Sequence, residues 1–372
     1  MRRAPPRPEF ALVGHQESWS KLGDIVAALR GASLPPVPEE DLRAILPWIP
    51  PRTVVRSRVA STQPGRAVEG IYVETFITPD ELSARSFHRA IEKVREAIAC
   101  AAREGARIAA LGGFTSIVLE GRPEVAEGPP GITLTTGNTL TAAFIVRGIE
   151  TAAARLGIDL AAADLLVVGA TGDIGSACAR YLGRRVRRVL LAARGAERLS
   201  RDEKALREGG VAARVVRDVR EGLAAADVVI CAASLASPAL DLGACRPGAL
   251  VCDAGYPKNL RPGSASSNAP RVFWGGLGQA KGGWQADGTL LETLYSFRAA
   301  RVAHGCLLEG IVLALARRFE PFSMGRGNIT PERMDEIATL AASHGIMPAP
   351  LLGPDGVWPE AEAQEPAEVG QA

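Results

Sequence analysis

The sequence predicts an α/β protein whose largest domain contains a doubly wound parallel sheet. From Asp164 onward, short apolar runs alternate with helical segments, which is typical of parallel strands covered by helices on both faces. The first of these runs enters a glycine-rich turn that opens directly into a helix. The predicted strands are residues 165–168, 189–193, 213–216, 228–232, 250–253 and 272–274.

The length of the chain predicts more than one domain. At 372 residues it exceeds the size at which a single hydrophobic core stops growing. We expect a disordered N-terminus (1–8), a smaller α/β substrate domain with a connecting helix (9–163), a nucleotide-binding domain (164–276), a C-terminal helical region packing on both (277–352) and a disordered acidic tail (353–372). The helical region is expected to contain helices over 292–319 and 331–344.

The first domain shows a similar alternation on a smaller scale. A strand is predicted over 67–78, a helix over 79–104 and a short strand from Ile108 into a glycine turn at Gly112. Residues 134–139 combine threonines with Gly137 and precede a helix predicted over 140–156. Such a segment is either a capped helix start or a set of free N–H groups that bind a ligand.

Composition excludes several classes of protein. The chain carries 43 basic and 41 acidic residues, so its net charge of +2 gives no general attraction to nucleic acid or to an anionic membrane. Its six cysteines show no Cys-x-x-Cys pairing and are accompanied by only four histidines, so we expect no disulfide scaffold and no metal site, but a cytoplasmic protein. We also expect no secretory signal, and no transmembrane segment of roughly 18 apolar residues.

The glycine-rich turn after the first strand predicts a dinucleotide site on a Rossmann-type domain. Gly169 permits a tight turn, Gly172 lets a pyrophosphate approach the backbone, and Gly175 lets helix and strand pack closely. The phosphates would lie at a helix N-terminus, where unpaired N–H groups and the helix dipole favour anions. The complete turn consists of Gly169, Ala170, Thr171, Gly172, Asp173, Ile174 and Gly175.

The end of the second strand predicts the choice of cofactor. In NAD-binding domains an acidic residue about 20 residues after the turn binds the ribose hydroxyl. Here the strand ends at Arg194, and no acidic residue lies between Asp173 and Glu197. A guanidinium can bind the 2′-phosphate that a carboxylate would repel, so we expect NADPH as the cofactor. The alternative is that Arg194 is only a surface residue.

Two segments at the ends of later strands are expected to face the nicotinamide. Ligands in open α/β sheets bind outside the carboxyl ends of the strands. Ala233 follows one such strand, and Gly255 and Tyr256 follow the next. Lys258, in the same loop, is either a donor to a substrate oxygen or cofactor phosphate, or a solvated lysine.

Several segments match the motifs of a known protein family in both order and spacing. The match extends over nearly the whole chain, from Phe10 to Leu352. They are residues 110–117, 135–139, 168–177, Asp253, 255–260, 322–323, 325–326, 329–330 and 344–345. Together they resemble the long-chain acyl-[acyl-carrier-protein] reductases, best known from cyanobacteria. The resemblance implies an oxidoreductase that uses NADPH to convert a fatty acyl thioester into a fatty aldehyde.

The resemblance also implies partners. The acyl group would arrive on acyl carrier protein or coenzyme A, and an aldehyde-consuming enzyme would act next. An acidic carrier would need a basic docking surface. A cluster after the first Rossmann helix either provides that surface or is simply solvated. Its members are Arg184, Arg185, Arg187 and Arg188.

In this family a cysteine inside the C-terminal helix takes the acyl group, and Cys306 is the matching residue here. Glu309 also matches the family pattern. Thiolate attack would exchange one thioester for another at little energetic cost and hold the acyl group beside the nicotinamide. Hydride transfer would give a hemithioacetal that collapses to aldehyde and free thiol. The alternative for Cys306 is a buried cysteine that acts as a small hydrophobe.

Residues near Cys306 have expected roles of their own. Glu309, one helical turn away, would orient the thiol or a proton donor, although its charge would raise the pKa of the thiol. A nearby cation would then activate the thiol, and the candidates are Arg298, Arg301 and Lys258. His304 is expected to point to another side of the helix and to take no part.

The sequence departs from the family pattern at three places. Leu140 stands where the family usually has histidine, residues 277–280 replace a Val-Glu-His segment, and Met324 replaces a tryptophan. Two alternative functions therefore stay open. One is an oxidoreductase like shikimate or methylene-tetrahydrofolate dehydrogenase, which acts on a small polar substrate without covalent catalysis. The other is a non-catalytic NADP-binding protein.

Overall fold

The computed structural model of the protein describes residues 6–16, 18–31, 34–77, 87–119, 128–235, 239–261, 269–286, 294, 297, 299–325 and 327–359. Two six-stranded sheets dominate these ranges. Among the helices described, none combines the length and apolar character that a membrane span requires.

The helices and strands have the following bounds. The helices are α1 (Trp19–Arg30), α2 (Glu39–Ile45), α3 (Phe87–Glu104), α4 (Phe114–Leu119), α5 (Asn138–Leu156), α6 (Asp173–Gly183), α7 (Ala196–Glu208), α8 (Val219–Ala225), α9 (Gly305–Leu315) and α10 (Pro331–Ser343). The strands are β1 (Phe10–Gly14), β2 (Arg52–Ala60), β3 (Ala67–Glu74), β4 (Ile108–Leu111), β5 (Thr133–Thr135), β6 (Asp164–Val168), β7 (Arg188–Ala192), β8 (Ala213–Val215), β9 (Val228–Cys231), β10 (Leu240–Asp241), β11 (Leu250–Asp253), β12 (Leu260–Arg261), β13 (Arg271–Trp274), β14 (Leu277–Ala280), β15 (Trp284–Ala286), β16 (Val302–His304), β17 (Ile346–Pro348), β18 (Leu352–Gly353) and β19 (Gly356–Val357).

The second sheet has the strand order β13-β11-β9-β6-β7-β8, and all of its strands are parallel. Alternate residues of β6 enter cores on opposite faces. Leu165 and Val167 pack with α5 and α6, whereas Leu166 and Val168 pack with α8. Helices therefore cover both faces, which confirms the predicted doubly wound sheet of Rossmann type. The strand order reverses between β6 and β9, the point at which such sheets bind ligands.

The first sheet has the order β15-β2-β3-β1-β4-β5. Strands β3, β1, β4 and β5 are parallel, β2 is antiparallel to β3, and β15 is antiparallel to β2. Helix α3 covers one face, where Val94 and Ile98 pack against Val13. Helix α9 covers the other face, where Ile311 packs with Leu12. This arrangement confirms the predicted α/β character of the first domain.

Helix α5 connects the two sheets. Its Val146 and Ile149 pack in the core of the Rossmann sheet, and its Phe144 packs with α9 in the core of the first sheet. Gly137 and Gly157 flank the helix, both in the left-handed conformation that favours glycine (φ of 66° and 68°). The predicted helix over 140–156 is confirmed and begins two residues earlier.

The region after the Rossmann sheet was predicted to be helical, but it also contains strands. Strand β14 pairs with β16 and β17 in a small antiparallel sheet, and β15 extends the first sheet. The prediction of one helix over 292–319 is wrong, because 302–304 form a strand and α9 begins only at Gly305. The Ala, Val and Leu residues of this run are compatible with both a helix and a strand. Pairing of Val302 with Gln279 stabilises the strand. Positions 292, 293, 295, 296 and 298 lie outside the described residues.

The ends of other helices and strands differ less from the predicted ends. The strand predicted over 67–78 ends at Glu74, and the helix predicted over 79–104 is described from Phe87. The disordered tail was expected to begin at 353, but β18 and β19 form a hairpin there. Trp358 anchors it by donating from Nε1 to the Val272 carbonyl oxygen at 3.1 Å. The acidic residues of the predicted tail that follow lie outside the described residues.

Candidate active site

The glycine turn has a geometry that fits a bound pyrophosphate. Gly169 has a φ of 88°, and a Cβ there would lie 2.5 Å from the Ala232 carbonyl oxygen. A Cβ on Gly175 would lie 2.3 Å from the Gly169 carbonyl oxygen. Both positions therefore need glycine. Helix α6 begins directly after Gly172, so the N–H groups of its first turn can bind an anion.

One cavity connects this turn with the thiol of Cys306. Its walls include Gly172, Asp173, Ile174, Ala233, Ser234, Gly255 and Tyr256 from the Rossmann domain, Gly14, His15, Gln16, Gly113 and Ser116 from the first domain, Asn138 and Thr141 from α5, and His304, Cys306 and Leu307 from the C-terminal region. The cavity lies beside the point where the strand order reverses. Most of the predicted cofactor residues and the predicted nucleophile thus share one space.

Other predicted site residues lie outside the cavity wall. Gly169, Thr171 and Gly175 belong to the turn itself. Arg194 is exposed just beyond the end of β7, where a residue that binds the ribose is expected. Lys258 Nζ donates to the Asp253 carbonyl oxygen at 3.3 Å and is not part of the wall.

Cys306 is the second residue of α9 and follows the end of β16. Its backbone packs so closely on Gly137 that a Cβ there would lie 1.9 Å from the Cys306 carbonyl oxygen. Burial raises the pKa of the Cys306 thiol to about 11, against the effect of the backbone N–H groups of Gly113 and Leu307. The charge of Glu309 adds to the increase in pKa, as expected. The thiol of the free protein is therefore protonated at neutral pH.

Backbone N–H groups, rather than Lys258 or Arg301, lower the pKa of the Cys306 thiol. The groups that lower the pKa of Cys306 are N–H groups of Gly113 and of the first turn of α9, which is how a helix N-terminus favours a thiolate. Neither Lys258 nor Arg301 is among the groups that shift this pKa, and Arg301 is exposed. Arg298 lies outside the described residues.

Glu309 is buried and does not line the cavity. Its fully buried carboxylate accepts hydrogen bonds from Thr135 Oγ1 (2.5 Å), Ser323 Oγ (2.7 and 2.8 Å) and the Leu140 N–H (3.1 Å). Burial raises the pKa of Glu309, and these donors lower it. The contacts tie α9 to β5, to the start of α5 and to the segment before α10. Glu309 is thus placed to position the helix that carries Cys306 rather than to touch the thiol.

Two histidines of the cavity, His15 and His304, could not be recognised as site residues from the sequence. The ring of Tyr256 lies between His15 and His304, with centroid separations of 5.4 and 5.2 Å. Burial lowers the pKa of His15 to about 4 and that of His304 to about 3, so both rings are neutral. The signal for His15 is a polar residue directly after the apolar strand β1. His304 was wrongly assigned to another side of a helix, because the helix begins only after it.

Gln16 links the cavity wall to a buried carboxylate. Its Nε2 donates to Glu74 Oε2 at 2.7 Å, and the Phe76 N–H donates to Glu74 Oε1 at 2.9 Å. Burial raises the pKa of Glu74 to about 7, and the two hydrogen bonds and the charge of Lys93 oppose this increase. A carboxyl group that titrates near neutral pH therefore lies behind the wall.

We expect Glu74→Gln to stabilise the protein at high pH. Because the pKa of Glu74 is about 7 in the folded protein and 4.5 in the unfolded chain, its contribution to stability is present below pH 4.5 and is lost as the pH rises through 7. Between pH 5 and pH 8 the difference in unfolding free energy should shift in favour of the variant by roughly 2 to 3 kcal/mol. Urea unfolding at both pH values measures the shift, with the exposed Glu40→Gln as the control. A difference that stays constant between the two pH values would contradict the expected titration.

The predicted carrier-docking cluster is largely paired within the fold. Arg187 Nε and Arg188 Nη2 donate to the buried carboxylate of Asp164 at 2.9 and 2.5 Å. Arg185 forms an ion pair with Glu150. Since these carboxylates offset much of its positive charge, the cluster fits the interpretation of an ordinary surface better than that of a docking site.

Comparisons with known proteins cover both the Rossmann domain and the whole chain. The family model of shikimate / quinate 5-dehydrogenase matches residues 150–273. A long-chain acyl-[acyl-carrier-protein] reductase from Synechococcus elongatus is 33% identical over 358 residues, which are 92% of this chain and 99% of that protein. The aminotransferase PigE from Serratia is 27% identical over 77% of this chain and 33% of that protein. A solved structure of quinate dehydrogenase from Corynebacterium glutamicum, in complex with NAD, has 16% identity and a TM-score of 0.35, with 88% of this chain and 97% of that chain covered.

Proposed function

The chain belongs to the long-chain acyl-[acyl-carrier-protein] reductase family, and we propose that it reduces a fatty acyl thioester to a fatty aldehyde with NADPH. Family membership makes it a reductase with a nicotinamide cofactor. The thioester substrate, the preference for NADPH and the acyl intermediate on Cys306 belong to the proposal. The observation that carries it is the single cavity whose wall contains both the thiol and the start of α6.

Residues of the Rossmann domain would hold the cofactor. The N–H groups at the start of α6 suit the pyrophosphate, and Arg194 suits a 2′-phosphate. Ala233, Gly255 and Tyr256 line the cavity beyond the turn, on the way to Cys306. When bound, the nicotinamide supplies the hydride that reduction of an acyl group requires.

Cys306 supplies the nucleophile in this proposal. Its sulfur forms a bond to the acyl carbon while the bond from that carbon to the carrier's sulfur breaks, so one thioester replaces another. Because the pKa of the thiol is about 11, the proton has to leave during the attack rather than before it. The N–H groups of Gly113 and Leu307 stabilise the negative charge that develops on the sulfur. Departure of the aldehyde returns the free thiol.

The proposal includes partners and a compartment. The acyl group would arrive on acyl carrier protein or coenzyme A, and the aldehyde would pass to an aldehyde-consuming enzyme. A thiol nucleophile needs a reducing environment, which favours the cytoplasm. All six cysteines are free, in agreement with such an environment.

The match to shikimate / quinate 5-dehydrogenase favours a second candidate, a dehydrogenase of a small polar substrate without a covalent step. That match ends at residue 273, so it includes neither Cys306 nor the first sheet. The third candidate, a non-catalytic NADP-binding protein, has its best support in the altered segment 277–283. Residues 277–280 form β14, whose Leu277 and Ala280 are buried, and no residue of 277–283 lines the cavity. The departure of this segment from the family pattern therefore gives little reason to expect that catalysis has been lost.

Aldehyde formation distinguishes the three candidates. Purified protein is mixed with NADPH and hexadecanoyl thioesters of acyl carrier protein or coenzyme A, and separately with NADP and shikimate or quinate. We expect NADPH consumption with an equal amount of aldehyde from a thioester, and no oxidation of the polar acids. Oxidation of the acids without aldehyde formation would favour the dehydrogenase, and no turnover in any mixture would favour the non-catalytic protein.

We expect Arg194→Ala to weaken the use of NADPH without affecting NADH. Hydrogen bonds from a guanidinium to a phosphate contribute about 1.5 to 3 kcal/mol, so the KM for NADPH should rise roughly 10- to 100-fold. Steady-state kinetics with both cofactors measure the effect. The exposed Arg103→Ala on α3 is the control. An equal loss with NADPH and NADH would show that Arg194 does not recognise the 2′-phosphate.

A further inference from the structure

We propose that His304 is a catalytic residue that carries the proton between the two thiols of the acyl-transfer step. The inference rests on the proposed function, since it assigns a further residue to the reaction at Cys306. His304 is the N-cap residue of α9, two positions before Cys306, and both residues line the same cavity. The short connection from strand to helix thus brings His304 and Cys306 to the same cavity.

The two histidines of the cavity differ in what their ring nitrogens bind. His15 Nδ1 lies 3.0 Å from the Gln16 carbonyl oxygen, and His15 Nε2 accepts from the Phe114 N–H at 2.9 Å. His15 is therefore protonated on Nδ1, and neither nitrogen is left for proton transfer. Among the residues that the structure describes, none forms a hydrogen bond with a ring nitrogen of His304. Of these two histidines, only His304 has ring nitrogens without a hydrogen-bond partner among the described residues.

Aromatic rings hold His304 in place without occupying its nitrogens. Tyr256 packs on it edge-on at 5.2 Å between centroids, and Phe297 does so at 5.5 Å. The Tyr256 hydroxyl donates to the His15 carbonyl oxygen at 3.1 Å, so this ring is itself fixed. The imidazole therefore keeps one orientation while its nitrogens stay available to a reacting group.

The surroundings of His304 keep the ring neutral before a substrate binds. Burial, together with the smaller effects of the nearby Lys258 and His15, lowers its pKa to about 3. The neighbouring Cys306 keeps its proton, because burial raises the pKa of the thiol to about 11. Proton transfer between them is thus unfavourable in the free protein. It becomes favourable only when the Cys306 sulfur bonds to the acyl carbon and its proton becomes acidic.

The proposed step balances as an exchange of thiols. As Cys306 Sγ bonds to the acyl carbon, its proton moves to a ring nitrogen of His304. The bond between the acyl carbon and the carrier's sulfur breaks, and its electron pair goes to that sulfur, which takes the proton from the imidazolium. Cys306 now carries the acyl group, the carrier leaves as a thiol, and His304 is neutral again. The positive charge of Lys258 nearby disfavours a lasting imidazolium and so favours this return.

The test measures acyl transfer alone. Wild type, His304→Gln and His304→Asn are mixed with the hexadecanoyl thioesters of coenzyme A and of acyl carrier protein in the absence of NADPH, and rapid quenching with intact mass spectrometry follows the adduct on Cys306. Loss of a general acid–base group should slow adduct formation roughly 10²- to 10⁴-fold at pH 7. At pH 10, close to the pKa of about 11 of the thiol, part of Cys306 is already thiolate and needs no base, so the variants should approach the wild-type rate. The control is His88→Gln, because the side chain of His88 is 84% exposed on α3.

The outcomes separate this inference from the proposed function. Acylation of the His304 variants at the wild-type rate at pH 7 would overturn the role of His304. A loss of the same size at pH 7 and pH 10 would also overturn it, because that pattern indicates a structural defect instead of a missing base. Failure of the wild type to form an adduct at either pH would overturn the proposed function, and this inference with it. Recovery of the variants at high pH also shows that they are folded.

Discussion

We expect Cys306→Ala to abolish aldehyde formation while NADPH binding stays unchanged. Without the sulfur no acyl group can be held on the protein, and removal of a covalent nucleophile typically lowers kcat on the order of a thousandfold or more. The cofactor should still bind, because the glycine turn at Gly169 does not involve the thiol. Aldehyde measured by gas chromatography and NADPH affinity measured by fluorescence titration give the two results.

A second cysteine serves as the matched control for this variant. Cys100 is a free, partly exposed cysteine of α3, and Cys100→Ala should retain full activity. If Cys306→Ala kept more than a few per cent of the wild-type rate of aldehyde formation, reduction would proceed without a covalent intermediate. The small-substrate dehydrogenase would then become the better model for the chemistry.

The next largest effect is expected for Glu309→Ala, on stability as well as on activity. The change leaves the hydroxyls of Thr135 and Ser323 and the Leu140 N–H without their buried acceptor. Buried donors without acceptors cost about 1 to 3 kcal/mol each, so we expect a loss of roughly 3 to 5 kcal/mol in unfolding free energy. Because Glu309 lies one turn after Cys306, kcat should fall while the KM for NADPH stays constant.

Two further variants separate the causes of that effect. Glu309→Gln keeps the shape and one acceptor oxygen, so it should cost less than half as much as the alanine variant. Glu336→Ala removes an exposed carboxylate that pairs with Arg318, and it should cost less than about 1 kcal/mol. Urea unfolding measures all three variants. Equal unfolding midpoints for wild type and Glu309→Ala would contradict the positioning role of Glu309.

The Rossmann sheet could be predicted from sequence because its signals are local. The Val and Leu residues of β6 are buried on both faces, so the strand is a continuous apolar run that ends in the turn at Gly169. The close approaches of Gly169 and Gly175 to neighbouring backbone explain why glycine marks these positions so clearly. The helix over 331–343 was predictable for a similar reason, since Thr330 caps it and Pro331 opens it.

The C-terminal region could not be predicted in the same way, because its structure depends on contacts distant in sequence. Val302 forms a strand only through pairing with Gln279, and β15 joins the first sheet only through β2. The sequence around Cys306 therefore reads as one helix, which assigns His304 to the wrong side. With the strand in place, His304 and Cys306 both line the cavity.

In the candidate site, too, some residues could be predicted from local sequence patterns, whereas others depend on contacts between segments distant in sequence. The family resemblance led to Cys306 and the local pattern to the glycine turn. The position of His15 depends on β1 lying in the middle of the first sheet, and the burial of Glu309 depends on Ser323, fourteen residues further on. Neither can be deduced from the spacing of residues along the chain.

The most direct test of the shared cavity follows the acyl group after it has been transferred to Cys306. Protein acylated in the absence of NADPH is freed from the carrier by gel filtration and then mixed with NADPH. We expect the acyl mass on Cys306 to disappear, with one equivalent of aldehyde released, at least as fast as steady-state turnover. An adduct that survives NADPH, or one that is lost as free fatty acid, would contradict the claim that thiol and cofactor act in one cavity.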